Sequence, residues 1–256
     1  MICVAVQRMV DELKIYRGDD IRITDDIIIH NPTLNDIVEI GEKKFLSFCQ
    51  DFTAHHLDSP YIVLLTDLGV DFTTISDWDL FVCLSLVFDE SICKFLFGNL
   101  DFKSMKPYVD GDIKGIRNKD GIVITPKIHA KMVGYIRKFA NISTPQFQKI
   151  LDNPTQKSMA INSARREIES ARRREMFYPS GSALLPIISS VVNYAGCNYT
   201  NKTIFNMNLY AFWDTVKRIQ AYDNASHLFL GIYSGCVDLS KNKKLKEELN
   251  WMRSFR

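Results

Sequence analysis

The sequence predicts an α+β fold, mainly α, with an N-terminal β-hairpin, a small central β-meander and a multi-helix body. Three observations carry this. Apolar residues recur at helical spacing through most long segments, hydroxyl or acidic capping residues stand at their starts, and alternating stretches are confined to two short regions rich in Gly and Asp turns. With 256 residues, 46% of them hydrophobic and 11% aromatic, the chain has ample material for a packed interior.

The elements follow in order. Leu13-Lys-Ile-Tyr-Arg17 and Ile21-Arg-Ile23 alternate on either side of Gly18-Asp-Asp20, the pattern of a hairpin. Ile27–Ile29 adds a strand that Pro32 stops, because proline has no amide proton to give a sheet. Thr33 then caps a helix of about four turns, with Asp36 as its capping partner. Leu34, Ile37, Val38, Ile40, Phe45, Phe48 and Cys49 share one face of it, and Gly41 is a weak point inside. Ser76-Asp-Trp-Asp79 repeats the start signal ahead of Leu80–Phe88, which is apolar nearly all round and so is covered by a core or by a partner. Ser91–Phe97 is a short helix ended by Gly98-Asn99.

Met105–Val109, Ile113–Ile116 and Ile122–Ile124 form the meander, and Thr125-Pro126 restarts helix. Asn141–Thr155, with Pro145 and Pro154, is a hinge, followed by a polar helix over Gln156–Met176. Three helical patterns follow at Ser182–Ala195, Asn208–Tyr222 and Asn224–Val237, and an amphipathic stretch at Lys243–Met252 closes the chain. The organisation expected is an N-terminal α+β region at 1–141, a linker with a basic helix at 142–181, and a C-terminal helical region at 182–256.

A formal charge of +2 does not by itself imply nucleic acid, membrane or an acidic substrate. The six cysteines lack CxxC spacing and stand mostly among apolar neighbours, as buried free thiols in a reducing compartment do. The first ten residues lack the pattern of a signal peptide. The longest apolar runs, Tyr61–Leu65 and Ala183–Ile188, fall far short of the roughly 20 residues a membrane span needs.

No nucleotide-binding, hydrolase, zinc-protease or kinase motif occurs, so no catalytic, cofactor-binding or metal-ligating residue is assigned, and no cofactor is expected. His55-His56, beside Asp51 and Asp58, could supply metal ligands, but adjacent histidines in a strand or helix point apart and no cysteine or third histidine is near, so a surface turn is the favoured reading. Asp67, Asp71, Asp77 and Asp79 read as helix caps, and His129 and His227 as satisfied buried histidines.

What remains points to binding rather than chemistry. Arg165 and Arg172, and likewise Arg166 and Arg173, are one heptad apart; with Arg174 they form a stripe that could meet phosphates or an acidic protein surface. Glu167, Glu169 and Glu175 interleave, so a solvated, self-neutralised helix is the plainer reading. Three apolar surfaces are the other partner candidates: Leu80–Phe88, the Asn208–Ile219 stripe with Trp213, and the terminal helix with Leu245, Leu249, Trp251 and Met252. The terminal helix docks on its own core or enters a partner's groove, with its own core favoured.

Several stretches together resemble one protein family. They are Ile15-Tyr-Arg-Gly-Asp-Asp-Ile21, His30-Asn-Pro-Thr-Leu34 with Glu39-Ile-Gly-Glu42, and Ile75-Ser-Asp-Trp-Asp-Leu-Phe81. Further on are Leu96-Phe-Gly-Asn-Leu-Asp-Phe102, Leu184-Leu-Pro-Ile-Ile-Ser-Ser190, and Ile232-Tyr-Ser-Gly-Cys-Val-Asp238 with Leu245–Trp251. The family is encoded by tailed bacteriophages of Gram-positive hosts among their virion and tail genes, and the likeness runs from about residue 13 to residue 252. A hairpin leading into a mostly helical body is similar to phage tail assembly chaperones. The resemblance implies a protein that binds the tape measure protein and helps tail tube subunits polymerise around it. It carries over no individual residue role. A structural virion component (tail-tip, connector or capsid-associated) is the alternative, and a nucleic-acid-binding accessory protein acting through Arg165–Arg174 is the third. The implied location is the host cytoplasm or the virion, without a membrane partner, and a homo-oligomer is compatible with the sequence.

Overall fold

The computed structural model describes residues 12–111, 113–143, 153–177, 181–237 and 243–254. The expectations for residues 1–10 and for most of the 141–155 hinge lie outside them. The fold is α+β and mainly α: a two-stranded and a three-stranded antiparallel sheet sit within a body of helices.

The chain starts with α1 (12–17), which corrects the strand expected at Leu13–Arg17. Five residues cannot separate the two periodicities. Ile15 is buried while Leu13, two residues back, faces solvent, whereas an alternating strand would put both on one side. Gly18 then ends the helix rather than turning a hairpin. At φ +99° it lets the amides of Gly18 and Asp19 both return to the Lys14 carbonyl, at 3.1 and 3.0 Å. The hairpin forms one step later, with β1 (Ile21–Arg22) antiparallel to β2 (Ile28–Ile29).

Helices α2 (Leu34–Ile40) and α3 (Glu42–Phe52) replace the single helix expected here. Gly41, at φ +99°, ends one and starts the other. The Thr33–Asp36 and Ser76–Asp79 capping boxes are both formed, the second opening α5 (Asp77–Ser85). Between them runs α4 (Ser59–Asp67), and α6 (Glu90–Phe97) follows under an Asp89 cap. Phe52 lies at the centre of an aromatic cluster, with ring centroids 5.2 Å from Phe81, 5.2 Å from Phe97 and 6.0 Å from Phe102. Leu80, Phe81, Ser85 and Phe88 are buried in the chain's own interior, while Cys83, Leu86 and Val87 stand exposed, so α5 packs on the core along one side.

The meander is present as β3 (Lys106–Asp110), β4 (Ile113–Arg117) and β5 (Val123–Ile124), in that spatial order. Thr125 caps α7 (Pro126–Ala140), which buries Met132, Ile136 and Phe139. Helix α8 (Pro154–Phe177) lies along α4, and Ala164 is its one buried residue. Ala164 belongs to a second, smaller apolar cluster with Tyr61, Ile62, Leu65 and Phe72. At the start of helix α9 (Leu184–Val192) the Ser182 hydroxyl accepts from the Leu185 amide at 2.8 Å, and Glu42 of α3 accepts from the Leu184 amide at 2.8 Å.

Helix α10 (Leu209–Tyr233) is continuous where two helices were expected, and α11 (Lys243–Glu248) packs on it. The start of α10 is locked to the start of α2. The Leu34 amide donates to Met207 at 3.0 Å, the Leu209 amide donates to Pro32 at 2.8 Å, and Thr33 bridges Asn208 between them. One main core therefore draws on residues from Ile15 to Phe212.

Among the described residues no helix is long and apolar enough to cross a membrane. The expectation of buried thiols holds for Cys49 and Cys93, where burial raises both pKa values, that of Cys93 to about 12. It fails for Cys83 and Cys236, which are exposed, and Cys197 is half-buried.

Candidate partner-binding surfaces

The arginine stripe of α8 is largely paired. Arg165 reaches Asp67 of α4 at 2.6 Å, Arg173 reaches Glu169 one turn back, and the Arg174 Nε donates to the Ser170 carbonyl. Arg166 and Arg172 are exposed. Asp67 and Asp71 are thus not helix caps: Asp71 holds Lys157 of α8 at 2.6 Å, and Ser59 donates to Glu167 at 2.6 Å. Lys157, Arg165 and Glu167 thus seat α8 antiparallel on α4, while Glu175 reaches Lys43 of α3. Exposed pairs of this kind are each worth under about 1 kcal/mol, so the seat is specific but shallow.

Trp213 is half-buried. It packs against the main core beside Phe212, with ring centroids 5.4 Å apart, and its indole nitrogen is buried without a partner. The rest of the Asn208–Ile219 stripe goes the same way, since Leu209, Ala211 and Phe212 are buried and Val216 and Ile219 pack on the core.

The exposed apolar surface lies further along the same helix. In the last three turns of α10 only Ala221 and Ala225 are buried, whereas Tyr222, Phe229, Leu230 and Tyr233 are exposed, Tyr233 to 85%. Tyr222, Phe229 and Tyr233, together with Ser226, recur at spacings of three and four, so they lie along one side of the helix. The chain's final stretch meets this helix. Trp251 makes an edge-on contact with Tyr222 at 5.6 Å, and Arg218 donates to the carbonyls of Trp251 and Arg253 at 3.1 and 2.9 Å. Leu245 and Leu249 are half-buried, and Met252 is 70% exposed. The terminal segment thus docks on its own body and adds Trp251 and Met252 to the exposed surface. No sequence signal marked this half of α10, because its aromatic side is indistinguishable in composition from the half that is buried.

Two other features gather polar side chains. A cleft of about 390 Å³ between α6 and the β4–β5 turn is floored by Phe88, Phe102 and Cys93. Its rim charges neutralise one another, Lys119 with Asp101 at 3.7 Å and Lys103 with Glu90 at 4.0 Å. The second feature is at the α3–α4 loop, where the adjacent histidines do not point apart: the rings of His55 and His56 stack 4.4 Å apart and both face Asp77 of α5. The residues are neither in a strand nor in a helix, so no alternation separates the rings. Asp77, which sequence reading took for a cap, is the shared acceptor; Asp51 is taken up by the Tyr61 hydroxyl at 2.7 Å.

His129 of α7 is buried as expected but half-satisfied. It hydrogen-bonds to the backbone of Phe52, its Nε2 has no partner, and burial pushes its pKa down to about 4. His227 is exposed, against expectation.

No curated protein and no solved structure matches the chain. Residues 181–256, which contain α9, α10, α11 and the whole exposed aromatic surface, match the model of a phage-derived family described as the YomV second domain, and this supports a bacteriophage protein.

Proposed function

We propose that this chain is a non-enzymatic phage assembly protein, a tail assembly chaperone that holds the helical tape measure protein until tail tube subunits polymerise around it. The observation that supports this reading most directly is the aromatic side of the distal half of α10. Tyr222, Phe229 and Tyr233 stand in a row on a helix whose proximal half is already committed to the core. Large aromatic side chains seven and four residues apart share one side of a helix, which is what an amphipathic partner helix packs against. Tyrosine suits such a surface, since each ring offers a large apolar area with a hydroxyl that keeps it wettable when unoccupied. The row falls inside the segment that matches the phage family.

Co-expression with the tape measure protein of the same phage tests the proposal. The expected result is that the tape measure protein stays soluble and co-elutes with this chain. Insolubility in every condition, with no copurification, rejects it. Mass spectrometry of purified particles separates the chaperone from a building block of the tail: a chaperone is absent from the mature virion, whereas stoichiometric presence means a structural component.

A further inference from the structure

We infer that His55, His56 and Asp77 form a binding site for one divalent first-row ion of the zinc class, which staples the α3–α4 loop to the start of α5. The donors come from two separate segments and converge: one ligand atom from each lies within 4.8 Å of the other two. Two imidazoles and a carboxylate are the donor set that zinc and cobalt(II) favour.

One of the two distances to Asp77 suits an ion better than a hydrogen bond. His55 Nε2 stands 3.5 Å from Asp77 Oδ2. That is long for a hydrogen bond, yet it is close to the roughly 3.3 Å that separates two donors on a tetrahedral ion with bonds of about 2.0–2.1 Å. His56 Nδ1 is 2.6 Å from Asp77 Oδ1, a true hydrogen bond, so this pair opens by less than an ångström to admit the ion. The surrounding loop is already held in place. The His55 amide donates to Asp58 at 3.0 Å, and the His56 amide donates to Asp77 at 3.0 Å. Both rings are about four-fifths shielded from solvent, which limits competition from water without closing the entry path.

The charges facing the cluster come from two more residues, Asp58 in the loop and Arg137 of α7, which act in opposite senses on His55. One hydrogen bond opposes the ion. The Leu57 amide donates to His55 Nδ1 at 3.1 Å, and coordination through Nε2 moves the ring proton to Nδ1 and breaks that bond. Losing one ordinary hydrogen bond is small beside what three metal ligands supply.

The test uses the full chain, stripped with a chelator and titrated with Co²⁺ and then Zn²⁺. Saturable one-to-one binding is expected, with visible Co²⁺ absorption and no near-ultraviolet thiolate band, which sets the site apart from the exposed Cys83 and Cys236. Affinity is expected to fall at least about tenfold in His56→Gln and in Asp77→Asn, and to stay unchanged in His227→Gln. A readout that needs no variant is ring ¹⁵N NMR of the wild-type protein. Of its five histidines, two are expected to shift on adding Zn²⁺. Absence of one-to-one binding, binding unaltered in Asp77→Asn, or zinc shifts confined to other histidines overturns the site.

Discussion

The side-chain amide of Asn208 donates to the backbone carbonyl of Tyr16 at 2.9 Å, while its oxygen accepts from the Ala211 amide at 2.9 Å. One residue therefore caps the start of α10 and closes the end of α1. Asn208→Ala removes both bonds and is expected to destabilise the protein by about 2 kcal/mol. Asn208→Asp keeps the cap but loses the donor to Tyr16, so it should fall between the two in urea unfolding. Equal stability of all three proteins would mean that neither bond matters.

Gly115 stands in the middle strand of the meander because nothing larger fits. A Cβ there would lie 2.4 Å from the Ile124 carbonyl oxygen, which is fixed backbone. Gly115→Ala is expected to cost about 1–3 kcal/mol. Gly134, in α7, meets nothing within 4 Å, and Gly134→Ala should stabilise by roughly 0.5–1 kcal/mol. Opposite signs for the two alanines, read from denaturation midpoints, are the outcome that checks this.

His129 stacks on Phe81 with ring centroids 3.8 Å apart, and burial lowers its pKa from 6.5 to about 4. Between those values the unfolded chain binds the proton and the folded one does not. The contribution is therefore complete above pH 6.5 and is lost as the pH falls toward 4, a span of order 3 kcal/mol. His129→Gln should flatten the dependence of stability on pH across that window. A slope unchanged by the substitution would place its origin elsewhere.

Asp71 carries a carboxyl held down to about 2, first by Lys157 and then by the amide and hydroxyl of Thr73. A lowered carboxylate pKa stabilises the fold above its ordinary value of 3.8, and that help disappears as the pH falls through 2. In Lys157→Ala the Asp71 carboxyl should titrate closer to 3.8 by NMR. Because the pair is at the surface, the substitution should hardly change global stability, and high salt should reproduce it in the wild type.

Phe229 and Tyr233 contribute little to the interior, so the double substitution Phe229→Ser and Tyr233→Ser is expected to leave the thermal midpoint within a few degrees of wild type. Loss of tape measure binding in this folded variant is the expected companion result. A large fall in midpoint would mean that the row supports the fold itself.

The starts of helices were legible because their signals are local. Thr33, Ser76 and Thr125 each sit three residues from the amide they accept, so the capping pattern is complete within one short window. The ends and joins were not, since distant residues decide them. Tyr194 donates to Asp223 at 2.6 Å, in the middle of α10, where the sequence suggested a break. The roles of Asp67 and Asp71 were hidden for the same reason, as their cations lie on α8, far along the chain. In the His55–His56 cluster the missing third member was Asp77, which the spacing of residues had already assigned to a helix start. Surface and core were confused on α10, because both halves are aromatic and only the tertiary contacts distinguish Trp213 from Tyr233.

The reciprocal backbone bonds between Pro32–Leu34 and Met207–Leu209 also set an order of events during synthesis. Segment 30–34 is translated early, yet its hydrogen-bonding partners emerge from the ribosome only after some 170 further residues. Until then the nascent N-terminal half keeps open main-chain groups and an uncovered flank of Leu34 and Ile37.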